Sequence, residues 1–121
     1  MDVEVPLAIG TVRTPPFPVK SRDYYILLRM QGVNLPLHDT MCLLGTATAW
    51  SLRSDCNKEP VIEGAWTVWA GTEKEAESSF GGGHGEGEIA EERMLGQFKG
   101  QPKRNYTLEV SFTKDGGPLK Q

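Results

Sequence analysis

The sequence predicts an all-β fold in which two antiparallel sheets pack as a sandwich, immunoglobulin-like or jelly-roll in character. Segments with apolar side chains at every second position recur along the chain, and clusters of Gly and Pro separate them at intervals of about a dozen residues. In addition, no segment has the apolar period of a long amphipathic helix. We therefore expect six or seven strands within a single domain that spans residues 1–121.

Residues 3–9 are predicted to form the first strand, because apolar side chains alternate with other residues there. Pro6 cannot donate a hydrogen bond to a neighbouring strand, which predicts an edge position in the sheet. Residues 13–23 contain three prolines and are predicted to form a stiff, extended connection. The alternating apolar positions of the first strand are Val3, Val5, Leu7 and Ile9.

Residues 24–32, YYILLRMQG, are predicted to form a central strand, because both faces of the strand begin with apolar side chains. Residues 41–52, MCLLGTATAWSL, fit a strand with Thr46, Thr48 and Trp50 on one face. A short helix is the alternative for this segment, and Gly45 together with the two threonines disfavours it.

Residues 61–71, VIEGAWTVWAG, have the strongest pattern for an interior strand. Trp66 and Trp69 fall on opposite faces of that strand, so both faces carry a bulky side chain. We expect Trp50 or Trp66 in the core near the two cysteines. Trp69 is the candidate for an exposed aromatic side chain that stacks on a sugar ring or on a partner protein, and core packing of both Trp66 and Trp69 is the alternative.

The C-terminal third of the sequence predicts two further strands. Residues 94–99, MLGQFK, form a short one. Residues 104–114, RNYTLEVSFTK, have the clearest division into an apolar and a polar face, which is typical of an antiparallel sheet with one solvated side. The chain then turns at residues 114–118, KDGGP, and we expect no complete strand beyond them. The apolar face of the strand predicted over residues 104–114 consists of Tyr106, Leu108, Val110 and Phe112.

The charge of the chain is concentrated in one segment. The net charge is −3, yet residues 71–92 hold seven glutamates and one lysine, a net charge of −6. Because the chain has no basic excess to neutralise phosphates, nucleic acid is excluded as the expected partner. Low hydrophobicity and high charge predict that residues 71–92 form one long, mobile, acidic Gly-rich loop between strands.

Residues 78–92, SSFGGGHGEGEIAEE, do not match the glycine motifs that bind phosphates. A P-loop requires a lysine after the glycines, and a dinucleotide site requires a different glycine spacing. The DxDxDG pattern of a calcium loop is absent, and a glycine-rich backbone is too free to hold metal ligands in place. We predict that residues 78–92 hold no cofactor and no metal site. We expect them to form a surface that a partner contacts. Weak Ca²⁺ binding is the alternative. The residues of this predicted interaction loop are His84, Glu86, Glu88, Glu91 and Glu92.

The chain has two cysteines, Cys42 and Cys56. An even number of cysteines in a small, turn-rich chain favours a disulfide, and with it an oxidising compartment. Two separate buried thiols in a cytosolic protein are the alternative. The spacing is not CxxC, so it predicts neither a redox centre nor a zinc knuckle.

The sequence contains no set of residues that predicts catalysis, and we expect a non-enzyme. His38 and His84 both lie in turn-like segments, and a GxSxG motif is absent. No apolar run approaches the roughly twenty residues that a membrane-spanning helix requires. Residues 1–10 lack the charged and apolar regions of a signal peptide. We expect a monomer.

Four stretches together carry a resemblance: RDYYILLRM, the two-cysteine middle, EGAWTVWAG and MLGQFKGQPKRNYTLEVSFTKDGGPL. The chain resembles small, uncharacterised, predicted exported proteins of Gram-negative bacteria that have an immunoglobulin-like sandwich. The resemblance implies this fold and a periplasmic or extracellular location, and it brings no functional residues. The expected function is a non-enzymatic exported domain that presents a surface to a partner protein, an envelope component or an antibody. The alternative is a carbohydrate- or calcium-binding module that uses Trp69 and the glutamate-rich loop.

Overall fold

The computed structural model describes residues 3–6, 8–19, 23–30, 37–45, 56, 60–81, 92–102 and 104–120. Seven strands lie within these ranges, together with one α-helix, α1 (Leu37–Leu44), and a 3-10 helix at Gly117–Lys120. The predicted all-β, two-sheet sandwich is confirmed. The strands are β1 (Gly10–Arg13), β2 (Phe17–Pro18), β3 (Asp23–Arg29), β4 (Gly64–Ala70), β5 (Glu73–Phe80), β6 (Glu92–Lys99) and β7 (Asn105–Phe112).

The larger sheet has the strand order β1-β7-β4-β5, and β2 also pairs with β7. β1 pairs with residues 109–112 of β7 and β2 pairs with residues 105–106, so the two short strands lie end to end along β7. The smaller sheet consists of β3 and β6. All of these pairs are antiparallel.

The core lies between the two sheets and draws apolar side chains from both. Trp66 of β4 is buried, and its indole Nε1 donates a hydrogen bond across the core to the carbonyl of Leu95 in β6, at 3.1 Å. The rings of Phe98 in β6 and Tyr106 in β7 lie 5.8 Å apart across the same space. The predicted inward face of β7 and the predicted interior position of β4 are therefore confirmed.

The first strand lies later in the chain than the sequence predicts. Residues 3–6 form no strand, and β1 begins at Gly10. The side chain of Val5 packs against the core, but Ile9 is exposed. Alternation describes which side chains are apolar and does not specify which backbone pairs with β7, and that pairing falls on Gly10–Arg13.

β3 is not the central strand that its two apolar faces predict. Among the described residues it pairs with β6 alone. Ile26 and Leu28 face the core as predicted, whereas Tyr25 and Leu27 on the other face are 59% and 46% exposed. The second apolar face is thus presented at the surface.

The segment that contains the first cysteine begins as a helix, which the sequence analysis disfavoured. Residues 37–44 form α1, and Gly45 follows with a φ of +84°. The N–H of Gly45 donates to the carbonyl of Met41 at 3.0 Å, which ends the helix with a left-handed glycine. Gly45 therefore terminates a helix that lies before it, and Thr46, Thr48 and Trp50 lie outside the described residues.

The prediction that residues 71–92 form one loop is wrong at both of its ends. Gly71, with a φ of +64°, begins a two-residue turn, and Glu73–Phe80 then pair with β4 as the edge strand β5. Glu92 is the first residue of β6. Charge and polarity on both faces of β5 suit an exposed edge strand, which explains why composition alone indicated disorder. Residues 82–91 lie outside the described part of the chain.

Candidate functional site

An apolar cleft opens between the two sheets at the edge where β1 and β3 lie. Its volume is about 220 Å³. The walls are residues 24–28 of β3, Val12 of β1, the two N-terminal valines at positions 3 and 5, and inward side chains of β6 and β7. The topology creates this opening because β1 and β3 belong to different sheets and do not pair with each other.

The opposite edge of the sandwich is closed by buried polar contacts. There β5 and β6 approach each other. Arg93 of β6 is 2% exposed, and its guanidinium donates to the carbonyls of Leu44 at 2.7 Å, Ile62 at 3.1 Å and Gly81 at 3.2 Å. Burial lowers the pKa of this guanidinium, while the three carbonyl oxygens accept hydrogen bonds from its charged form. One side chain thus joins the last residue of α1, the segment just before β4 and the residue just after β5 to the smaller sheet.

The lining of the cleft contains no aspartate, glutamate, lysine, arginine or histidine among the described residues. Thr14 contributes a hydroxyl, but its Oγ1 already accepts a hydrogen bond from the N–H of Leu108 at 3.0 Å. The rim carries exposed apolar side chains, which include Val3, Tyr25 and Leu27. Such a cleft can bind neutral apolar groups.

The predicted disulfide is present. The sulfur atoms of Cys42 and Cys56 are bonded, with their Cα atoms 5.8 Å apart. Cys42 lies in α1 and is buried, so the bond joins the helix to residue 56. The disulfide therefore fixes the position of the helix whose last carbonyl Arg93 contacts.

Glu92, predicted as part of the interaction loop, is instead buried in β6 with 7% exposure. Its Oε2 accepts a hydrogen bond from Nε of Arg29 on the paired strand β3, at 3.1 Å. The carboxylate is therefore held inside the smaller sheet and cannot serve as a loop contact. The other four predicted loop residues, His84, Glu86, Glu88 and Glu91, lie outside the described residues.

Trp69 lies on the face of β4 opposite Trp66 and is half-buried. The Nζ of Lys74, on the paired strand β5, lies 5.7 Å from the centre of the Trp69 ring, above its face. A sugar that stacked on this face would have to displace the ammonium group. The nearby carboxylates are also engaged: Arg104 pairs with Glu73 and Glu75, and Lys74 pairs with Glu77.

The described residues contain neither a cluster of metal ligands nor a membrane-spanning helix. No three His, Cys, Asp or Glu side chains there are grouped so that they could hold a metal ion. In the same residues, no helix combines the length and the apolar character that crossing a membrane requires.

Comparison with known proteins identifies no relative: no family model, no curated protein and no solved structure matches the chain. The cleft therefore has to be interpreted from its own geometry.

Periodicity alone does not predict the cleft, although the sequence carries a signal for it. Residues 24–28 are apolar on both faces of a strand, which was interpreted as burial on both sides. A strand at the open edge of a sandwich has the same pattern when one face lies in the core and the other forms the rim of a site. Strand order, which periodicity does not provide, distinguishes the two cases.

Proposed function

We propose that this protein is a non-enzymatic, exported β-sandwich domain that binds a partner protein, and that the apolar cleft at the β1–β3 edge is its recognition site. The observation that carries the proposal is the cavity of about 220 Å³ at the open edge, with Tyr25 and Leu27 exposed at its rim. Exposed aromatic and aliphatic side chains beside a concave apolar surface are typical of protein recognition sites.

The proposed export rests on the disulfide. Bonds of this kind persist in oxidising compartments and are rare in the cytosol. Titration of thiols in the denatured protein, purified without reductant from its native host, measures the state of Cys42 and Cys56. We expect almost no free thiol, because structural disulfides of exported proteins resist reduction. Two free thiols per chain would contradict the export proposal.

The accessibility of the cleft can be measured with the fluorescent dye 1-anilinonaphthalene-8-sulfonate, which brightens in apolar sites. We expect the native protein to enhance the fluorescence of the dye, and the double variant Tyr25→Ser/Leu27→Ser to lose most of the enhancement. Ile9→Ser is the matched control, because Ile9 is 68% exposed and does not line the cleft. Far-UV circular dichroism verifies that all three proteins are folded.

Two results would overturn the assignment of the site. In the first, the folded native protein does not enhance the dye. In the second, Ile9→Ser lowers the fluorescence as much as the double variant does, which would indicate binding to exposed apolar side chains in general.

A further inference from the structure

We propose that the partner of the cleft is an extended peptide strand that pairs with the edge of β3 and places apolar side chains into the cavity. This inference rests on the proposed function, because it names the chemistry of the partner for the same site.

The cavity follows the backbone of β3. Five successive residues, 24–28, line it, and their side chains alternate between the two faces of the strand. A cavity beside one face would contact the side chain of every second residue only. Contact with five in succession means that the cavity wraps around the edge of the strand, where the backbone N–H and C=O groups lie.

These backbone groups require hydrogen-bond partners when an occupant excludes water. Within the described chain, the backbone of residues 24–28 bonds to β6 alone, so the groups on the other edge have no protein partner there. An acyl chain in the cleft would remove water from these groups and offer nothing in return, which costs free energy. A peptide strand would fill the same volume and also satisfy them, as in recognition by strand addition.

The side chains of the occupant are constrained by the lining and the volume. About 220 Å³ is smaller than a typical drug-sized pocket and larger than an engineered cavity that holds benzene. One or two aliphatic side chains at alternate positions fit this space, and charged ones do not, because the described lining carries no counter-charge.

The N-terminal segment of the chain already places aliphatic side chains at alternate positions in the cavity. Val3 and Val5 line the cleft at alternate positions, and Glu4 between them is exposed. Yet residues 3–6 pair with no strand. The chain thus places alternate valines in the cavity that β3 lines, without pairing to a strand there.

A synthetic seven-residue peptide, acetyl-Thr-Val-Thr-Val-Thr-Val-Lys-amide, matches the length of β3 and tests the proposal against the full chain. Two further peptides carry backbone N-methyl groups, one on the valines and one on the threonines. In an antiparallel pair, only every second residue of the peptide directs its N–H group toward β3. One methylated peptide therefore lacks the N–H groups that bond to β3, the other lacks those that point away, and both keep all the side chains of the parent. Binding is measured by chemical shift changes and amide exchange of ¹⁵N-labelled protein.

We expect the parent peptide to bind and to protect alternate amides of β3 from exchange. One methylated peptide should lose at least tenfold in affinity, about 1.4 kcal/mol, and the other should bind like the parent. The variant Tyr25→Ser/Leu27→Ser should weaken all three peptides, and Ile9→Ser should weaken none.

The proposal is overturned if both methylated peptides bind as well as the parent, because apolar contact alone then suffices. It is also overturned if the peptides do not bind while the dye does, or if decanol or a second copy of the chain protects the β3 edge and the peptide does not. In these cases the cleft remains a binding site with a different occupant. Failure of the dye as well would remove the proposed function itself.

Discussion

The indole of Trp66 lies directly against the backbone of Gly96 on the facing sheet. A Cβ atom added to Gly96 would lie 2.6 Å from Cε2 of the indole, closer than real side chains approach. The next carbonyl toward the N-terminus, that of Leu95, accepts the hydrogen bond from the indole Nε1. Glycine at position 96 therefore allows the tryptophan to cross the core and bind the other sheet.

Gly96→Ala is expected to destabilise the fold by about 1–3 kcal/mol, because the methyl group has to displace a buried, hydrogen-bonded indole. Gly81→Ala is the matched control, since its Cβ would meet only the half-exposed side chain of Glu63. Urea unfolding measures both free energies. Equal values for the two variants would show that Trp66 moves aside without cost.

The two tryptophans of β4 are expected to respond differently to replacement by phenylalanine. Trp66→Phe removes a buried hydrogen bond and leaves the carbonyl of Leu95 without it, so we expect a loss of about 2 kcal/mol. Trp69→Phe should change stability by less than about 0.5 kcal/mol, because the buried Nε1 of Trp69 has no hydrogen-bond partner within the described part of the chain. A larger loss from Trp69→Phe than from Trp66→Phe would contradict this account.

Arg93→Met is expected to cost at least about 3 kcal/mol, since two buried carbonyl oxygens and one part-buried carbonyl oxygen lose their donor at once. Arg13→Met, on the exposed side of β1, should stay within about 0.5 kcal/mol of the native protein. Thermal and urea unfolding provide the comparison. Equal stability of the two variants would contradict the role of Arg93 as the donor to these three carbonyl oxygens.

Tyr106→Phe tests the corner between the sheets. The hydroxyl of Tyr106 accepts a hydrogen bond from the N–H of Gln101, at 2.8 Å, where the chain passes from β6 to β7. Loss of this acceptor should cost about 1–2 kcal/mol. Tyr25→Phe, which removes a hydroxyl from a tyrosine that is 59% exposed, should be neutral. Unfolding free energies that do not distinguish the two variants would contradict a structural role for the hydroxyl.

The double variant Cys42→Ala/Cys56→Ala is expected to lose about 3 kcal/mol, because the disulfide closes a short loop of the unfolded chain. The native protein with its disulfide reduced should lose a similar amount. A midpoint of urea unfolding that is the same with and without reductant would show that the core holds α1 in place without the bond.

Much of the fold could be predicted from periodicity and composition. β7 and β4 follow from their alternating side chains, since a strand buried on one face has to show that alternation. The cysteine pair was predicted to be bonded from its number and setting, and it is. Helix α1 was not expected, because Gly45 looked like an interruption of a segment when it is the residue that ends the helix.

The strand β5 shows where composition fails. Its charged side chains gave no apolar signal, yet after the turn at Gly71 it pairs with the free edge of β4 at both ends of a single bulge. Backbone hydrogen bonds to a neighbour hold this strand, and they depend on that neighbour and not on the hydrophobicity of β5 itself.

The sequence by itself determined that β3, β4, β6 and β7 are strands, which face of β7 is apolar and that the two cysteines can close a loop, because these properties are local. Only the tertiary structure decided that β1 and β3 lie at the same edge in different sheets, that Glu92 and Arg93 are buried, and that the apolar residues 24–28 border a cleft. The physical reason is that strand order and sheet packing depend on contacts between distant residues, whereas a periodic pattern reports only which side of a strand avoids water.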